Sequence, residues 1–165
     1  VLDLIDKKKS FVLYFGFDTC PWCRSVVPTL ASISKELNQK VYYIDVKDIR
    51  DTYELDNDNK PKLVKKGSKD YSKLLEKLEP VLEDYTLTDS DNNKIEVGEK
   101  RIYAPNIISV INGEAKELTI DISDKQTESY MKLTKEMEKE TYNKIKKVLK
   151  QVKDKNSTCD LDKGC

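Results

Sequence analysis

One stretch, Ser10–Arg24, limits what this chain can fold into. Phe11–Phe17 is almost continuously apolar, the mark of a central strand covered on both faces. It runs through Asp18-Thr19 into Cys20-Pro21-Trp22-Cys23. Beyond this motif, Val26, Val27, Leu30, Ile33 and Leu37 recur at helical spacing up to Asn38. Pro21 fits the first turn, where its missing N–H costs nothing, and Pro28 falls inside the helix and should kink it. The spacing therefore has a buried strand carry Cys20 to the surface at a helix N-terminus. Partial positive charge there favours a thiolate. Cys23, one turn further in, is expected to be more buried and less reactive, close enough to pair with Cys20 as a reversible dithiol. Arg24 adds positive potential beside them.

The rest of the chain supplies more elements. Leu2, Leu4 and Ile5 read as a short helix, and Lys40–Val46 as a second buried strand. Residues 47–101 are less regular. Ser68 or Asp70 caps a helix carrying Tyr71, Leu74, Leu75, Leu78, Val81 and Leu82, which Pro80 bends or splits. Asp89–Asn93 turns between Tyr85–Thr88 and Lys94–Val97 as a small hairpin. Asn112-Gly113 joins two further strands, the firmest hairpin signal in the chain. A short helix at about 126–132 and a longer one at about 135–153, divided by Thr134 as a cap, complete one α/β domain over residues 1–153. Tyr142, Ile145, Val148, Leu149 and Val152 form the inner stripe of the longer helix. Residues 154–165 read as a loose polar tail carrying a second pair, Cys159 and Cys165.

Composition excludes several chemistries. There is no histidine, which rules out Ser-His and Cys-His nucleophile pairs and His-ligated metal sites. Thirty basic residues balance thirty acidic ones, so charge makes no case for nucleic acid or an anionic membrane. No segment has the apolar length of a transmembrane helix. The four cysteines fall in two close pairs, which permits an oxidising compartment. Cys159 and Cys165 read as a local disulfide closing a short loop. A second redox pair, or a four-cysteine zinc site uniting both pairs, are the alternatives.

Three local features together resemble the thioredoxin-like superfamily: the Cys20-Pro21-Trp22-Cys23 motif, Pro28 five residues past the second cysteine, and Pro105 opening the strand before the Asn112-Gly113 hairpin. The resemblance covers roughly residues 5–46 and 102–152. The long 47–101 segment, the approach to Pro105 and the cysteine-ended tail also resemble the thioredoxin-like proteins of Gram-positive bacteria called bacteriocin transport accessory proteins. The resemblance implies a thioredoxin-like fold: a central mixed sheet flanked by helices, with a helix-plus-hairpin insertion before a cis-Pro105 loop. It implies a thiol–disulfide oxidoreductase with Cys20 as nucleophile and Cys23 as resolving thiol. Trp22, Ala104 and Pro105 would meet substrate, the backbone beside Pro105 pairing with it as an added strand. No cofactor or metal is implied, because the dithiol itself carries the electrons.

Partners would be protein thiols or disulfides and a redox partner protein. The chain would be a monomer outside the cytoplasm, released or anchored through a removed N-terminal segment, with a cytoplasmic reductase as the alternative. A low-turnover binding or export-accessory module is the rival of a different class. The chain also departs from the family. Thr19 precedes the motif, and its Pro-Trp centre is closer to the glutaredoxin dipeptide than to thioredoxin's Gly-Pro. Tyr14 stands where thioredoxins bury an acid that relays protons to the second thiol, and Val41 aligns with the lysine that partners this acid. A tyrosine of ordinary pKa near 10 is a poor proton acceptor at neutral pH.

Overall fold

The computed structural model describes residues 1–120 and 122–161, the side chains of 157–161 excepted. Its centre is strand β1, Phe11–Gly16, every residue of which is buried. β1 pairs in parallel with β2 (Val41–Asp45) and antiparallel with β7 (Asn106–Ile111), which pairs with β8 (Glu114–Thr119). The result is a mixed four-stranded sheet in the order β2-β1-β7-β8. Asn112 and Gly113 join β7 to β8 with φ of 54° and 80°, the left-handed pair that a two-residue hairpin turn requires.

Alternation along β1 divides the core. Val12 and Tyr14 face α2 (Pro21–Leu37) and α4 (Lys135–Leu161), packing with Val26, Leu30, Ile33, Ile145, Val148 and Leu149. Phe11, Leu13 and Phe15 face the opposite layer, packing with Ile5 of α1 (Leu2–Asp6) and with Tyr71, Leu74 and Leu78 of α3 (Lys69–Leu78). The continuous apolar run is thus a strand sandwiched between two helical layers. The molecule is an α/β protein with a mixed sheet and flanking helices, as its sequence implies.

Several local expectations need correction. β2 is an edge strand, not a buried one, because among the described residues no strand lies beyond it; Tyr43 on it is 55% exposed. The 47–101 segment holds two hairpins rather than one. β5 (Glu83–Thr88) and β6 (Lys94–Arg101) form the expected pair. β3 (Thr52–Leu55) and β4 (Pro61–Lys65) form the other, turned by the Asp56 carboxylate accepting from the backbone N–H of Asp58 and Lys60. This hairpin escapes pattern reading because much of it is solvated on both faces, so its sequence does not alternate.

Ser68, not Asp70, caps α3 by accepting from Tyr71 N, and Pro80 lies in the 3-10 turn Glu79–Val81 that follows the helix. Thr134 caps α4, its hydroxyl accepting from Met137 N. No helix forms at 126–132; isolated turns stand there, with Gln126 Nε2 donating to Ser25 Oγ and Glu128 O. α4 runs on to Leu161, so the first part of the supposed tail is helical. Among the described residues no helix is long and apolar enough to cross a membrane.

Candidate functional site

β1 ends at Gly16, and a short turn, closed by Cys20 N donating to Phe17 O, leads into α2. Cys20 is the N-cap of α2 in extended conformation, and its sulfur accepts from the backbone N–H of Cys23 at 3.2 Å. A sulfur in the place of a capping oxygen thus receives one of the helix's unpaired N–H groups, the arrangement that favours negative charge on it. Pro21 occupies the first turn and Pro28 lies within the helix. The two cysteines sit at disulfide distance with Cα atoms 5.3 Å apart.

Across from them is a cis peptide bond, Ala104–Pro105. The Ala104 carbonyl lies 3.6 Å from Cys20 Sγ, within the range at which a thiol donates. Asn106, 1% exposed at the start of β7, braces this loop from both sides: its Oδ1 accepts from Tyr103 N and its Nδ2 donates to Pro105 O. In sequence Asn106 is one polar residue opening an apolar strand, which gives no hint of that clamp.

The sequence places Cys20 at the surface and Cys23 deeper. The structure buries both alike, at 2% and 3% exposure, because Cys20 sits against the Ala104 carbonyl. Trp22 and Ala104 are half-buried, Pro105 is buried and Arg24 is exposed. Cys20, Cys23, Trp22, Ala104, Pro105, Tyr14, Pro21 and Arg24 thus lie on the elements that meet at this junction. The expected Cys159–Cys165 pair lies outside the described residues, Cys165 wholly and Cys159 in its side chain.

A groove of about 540 Å³ opens beside the sulfurs. Tyr14, Phe17, Val27 and Tyr43 give it an apolar lining, and Cys20 and Cys23 belong to its wall with Asp18 and Arg24. Val27 and Tyr43 were not anticipated as part of a site, since Tyr43 joins it only because β2 is an edge. In register, Tyr14 stands opposite Tyr43, not Val41, and their rings stack 5.6 Å apart. Burial, then the neighbouring Tyr43, pushes the Tyr14 hydroxyl up to about 12. It stays protonated throughout the physiological range and can donate a hydrogen bond but not relay a proton as a base.

The segment before the Ala104–Pro105 loop is tied to the inserted hairpins. Arg101, 8% exposed, lies over the Tyr85 ring at 3.9 Å and donates from Nη1 to Asp51 O. Tyr71 Oη accepts from Ile102 N, and Tyr103 Oη accepts from Thr86 N. Among the described residues, no cluster of three or more His, Cys, Asp or Glu side chains is placed to hold a metal ion. No protein-family model and no curated protein matches the chain.

Proposed function

We propose that this protein is a thiol–disulfide oxidoreductase built on a thioredoxin-like fold, acting on protein thiols or disulfides. The observation that carries the reading is the Cys20–Cys23 pair at the start of α2, Cys20 Sγ bonded to the Cys23 N–H and facing a cis Ala104–Pro105 bond. In the reductive direction the Cys20 thiolate attacks a substrate disulfide and expels one substrate thiolate. A mixed disulfide to Cys20 remains. The Cys23 thiolate then attacks Cys20 Sγ, the mixed disulfide breaks, the second substrate thiolate leaves, and the Cys20–Cys23 disulfide closes. Oxidation of a substrate dithiol is the reverse. Two electrons move and no cofactor takes part. The reading keeps the family's setting outside the cytoplasm of a Gram-positive bacterium, with a partner protein restoring the dithiol.

Insulin reduction tests it. The wild type should turn over and Cys20→Ser should not; equal, negligible rates in both would remove the enzymatic reading. A glutathione titration followed by Trp22 fluorescence then gives the direction of electron flow, between about −270 mV for a thioredoxin-like reductant and about −120 mV for a strong oxidant. The near-complete burial of both sulfurs favours a second reading, a binding module with little turnover. That reading expects partner capture unaffected by Cys20→Ser.

A further inference from the structure

Tyr14 carries a feature that the dithiol reading does not use. Its ring leaves β1 and turns over Gly16, where a side chain cannot stand: a Cβ there would collide with Tyr14 Oη and Cζ and come within 3.2 Å of Cys23 Sγ. The phenol oxygen and the second sulfur therefore flank one point above Gly16, and both line the groove. Tyr14 is only 6% exposed, yet its hydroxyl has no hydrogen-bond partner among the described residues. The hydroxyl is not sealed in the core: it opens on the groove, where water can accept from it. In the disulfide the neighbouring sulfur is a poor acceptor; as a thiolate it is a strong one.

We infer that Tyr14 is the hydrogen-bond donor that receives the Cys23 thiolate whenever the Cys20–Cys23 disulfide opens. This rests on the dithiol reading and adds a residue to it. When a substrate thiolate attacks Cys20 Sγ, a new S–S bond joins substrate to Cys20, the Cys20–Cys23 bond breaks, and its electron pair leaves on Cys23 Sγ. Tyr14 Oη donates to that charge and keeps its own proton, since its hydroxyl is held far above neutrality. The leaving thiolate later takes a proton from water in the groove. In the reverse direction the same bond raises the thiolate fraction of Cys23 for its attack on a mixed disulfide. The other titratable groups facing this space are Tyr43 from β2, Asp18 from the turn and Arg24 from α2. Tyr43 and Asp18 oppose a thiolate when ionised, and Arg24, being exposed, acts through solvent.

Tyr14→Phe removes one oxygen that has no partner among the described residues of the oxidised protein, so the fold should stand. In a Cys20→Ser background, the pH midpoint for alkylation of Cys23 should rise by about one unit when Tyr14 becomes Phe. With Cys20 intact, thiol–disulfide exchange should be about threefold slower at neutral pH, through a lower thiolate fraction in one direction and a poorer leaving group in the other. For resolution of the mixed disulfide by Cys23 that deficit should vanish above both midpoints, where both thiolates are fully formed and the more basic one is at least as nucleophilic. An unchanged Cys23 midpoint, or a slowing of resolution by Cys23 by one constant factor at every pH, would overturn the inference.

The Cys23 midpoint needs no turnover, so it decides this point even if Cys20→Ser shows the enzymatic reading to be wrong. The reciprocal readout requires no change at Tyr14. On reduction of the wild type, the infrared C–O stretch of one tyrosine should move to that of a hydrogen-bond donor, and Cys23→Ala should abolish the shift. A shift that persists in Cys23→Ala would count equally against the inference.

Discussion

The four-stranded sheet closes both its faces with aliphatic and aromatic side chains, those of α3 among them, whereas the two hairpins of the 47–101 segment are fastened by tyrosine hydroxyls and one buried arginine. On the sheet, Val12, Val26, Ile145, Val148 and Leu149 are each fully buried, and burial is worth about 1.5–3 kcal/mol for such a side chain. At the insertion, Tyr53 and Tyr85 meet edge to face at 5.5 Å, Tyr53 N donates to Tyr85 Oη, and Arg101 covers the Tyr85 ring. The first kind of contact is non-directional and cooperative. The second depends on a few oriented pairs. A scaffold of the first kind, α3 included, holds the dithiol geometry, while hairpins fastened in the second way can alter their loops without disturbing the sheet beneath.

The largest expected effect lies in the scaffold. Leu149→Ala opens a cavity where α4 meets α2 and the sheet, and should cost about 2–5 kcal/mol. Urea unfolding followed by Trp22 fluorescence should show a lower midpoint with an unchanged slope. A loss below about 1 kcal/mol would show that this layer is not the stabilising one, and would remove one side of the contrast.

At the junction between the two regions, Tyr71→Phe deletes the acceptor of Ile102 N, whose residue is fully buried. An unpaired buried N–H costs about 1–3 kcal/mol. Hydrogen exchange should quicken at Ile102 and through β5 and β6, with the amides of β1 and β7 still protected. Uniform loss of protection across all strands would mean that insertion and scaffold unfold as one unit.

The same contrast explains what could be read from the sequence. Phe11–Phe17 and the stripe Ile145, Val148, Leu149 and Val152 are periodic because each residue buries against a face, so β1 and α4 were legible. Asn112-Gly113 was legible because few residues tolerate two positive φ angles in succession. Cys20, Cys23 and Pro105 were legible as a constellation by resemblance alone. β3 and β4 were not, since exposed residues such as Glu54, Lys62 and Lys65 carry no alternation. The edge position of β2 is a property of the whole sheet and leaves no local mark, so Tyr43 went unnoticed beside Tyr14. The burial of Cys20 depends on a carbonyl 84 positions away in the chain.

The smallest effect concerns pH, where one tyrosine from each region can be compared. Burial pushes Tyr14 up to about 12, with Tyr43 adding to it. Tyr53 is also pushed up to about 12, by desolvation and then by its hydrogen bond with Glu99, although it is only half-buried. The ordinary value for both is 10.0. Folding holds each hydroxyl protonated longer than the unfolded chain does. The stabilisation is therefore fully present below pH 10 and is lost as pH rises through about 12. Tyr14 is locked in the core against Val12 and Ile107, so its ionisation is coupled to global unfolding. Tyr53 sits on an edge hairpin where solvent screens the charge and the strand can open alone. Tyr14→Phe should thus flatten the fall of the urea midpoint between pH 10 and pH 12, and Tyr53→Phe should leave the fall nearly intact. Equal flattening by the two variants would show that the insertion is coupled to the scaffold as tightly as the scaffold is to itself.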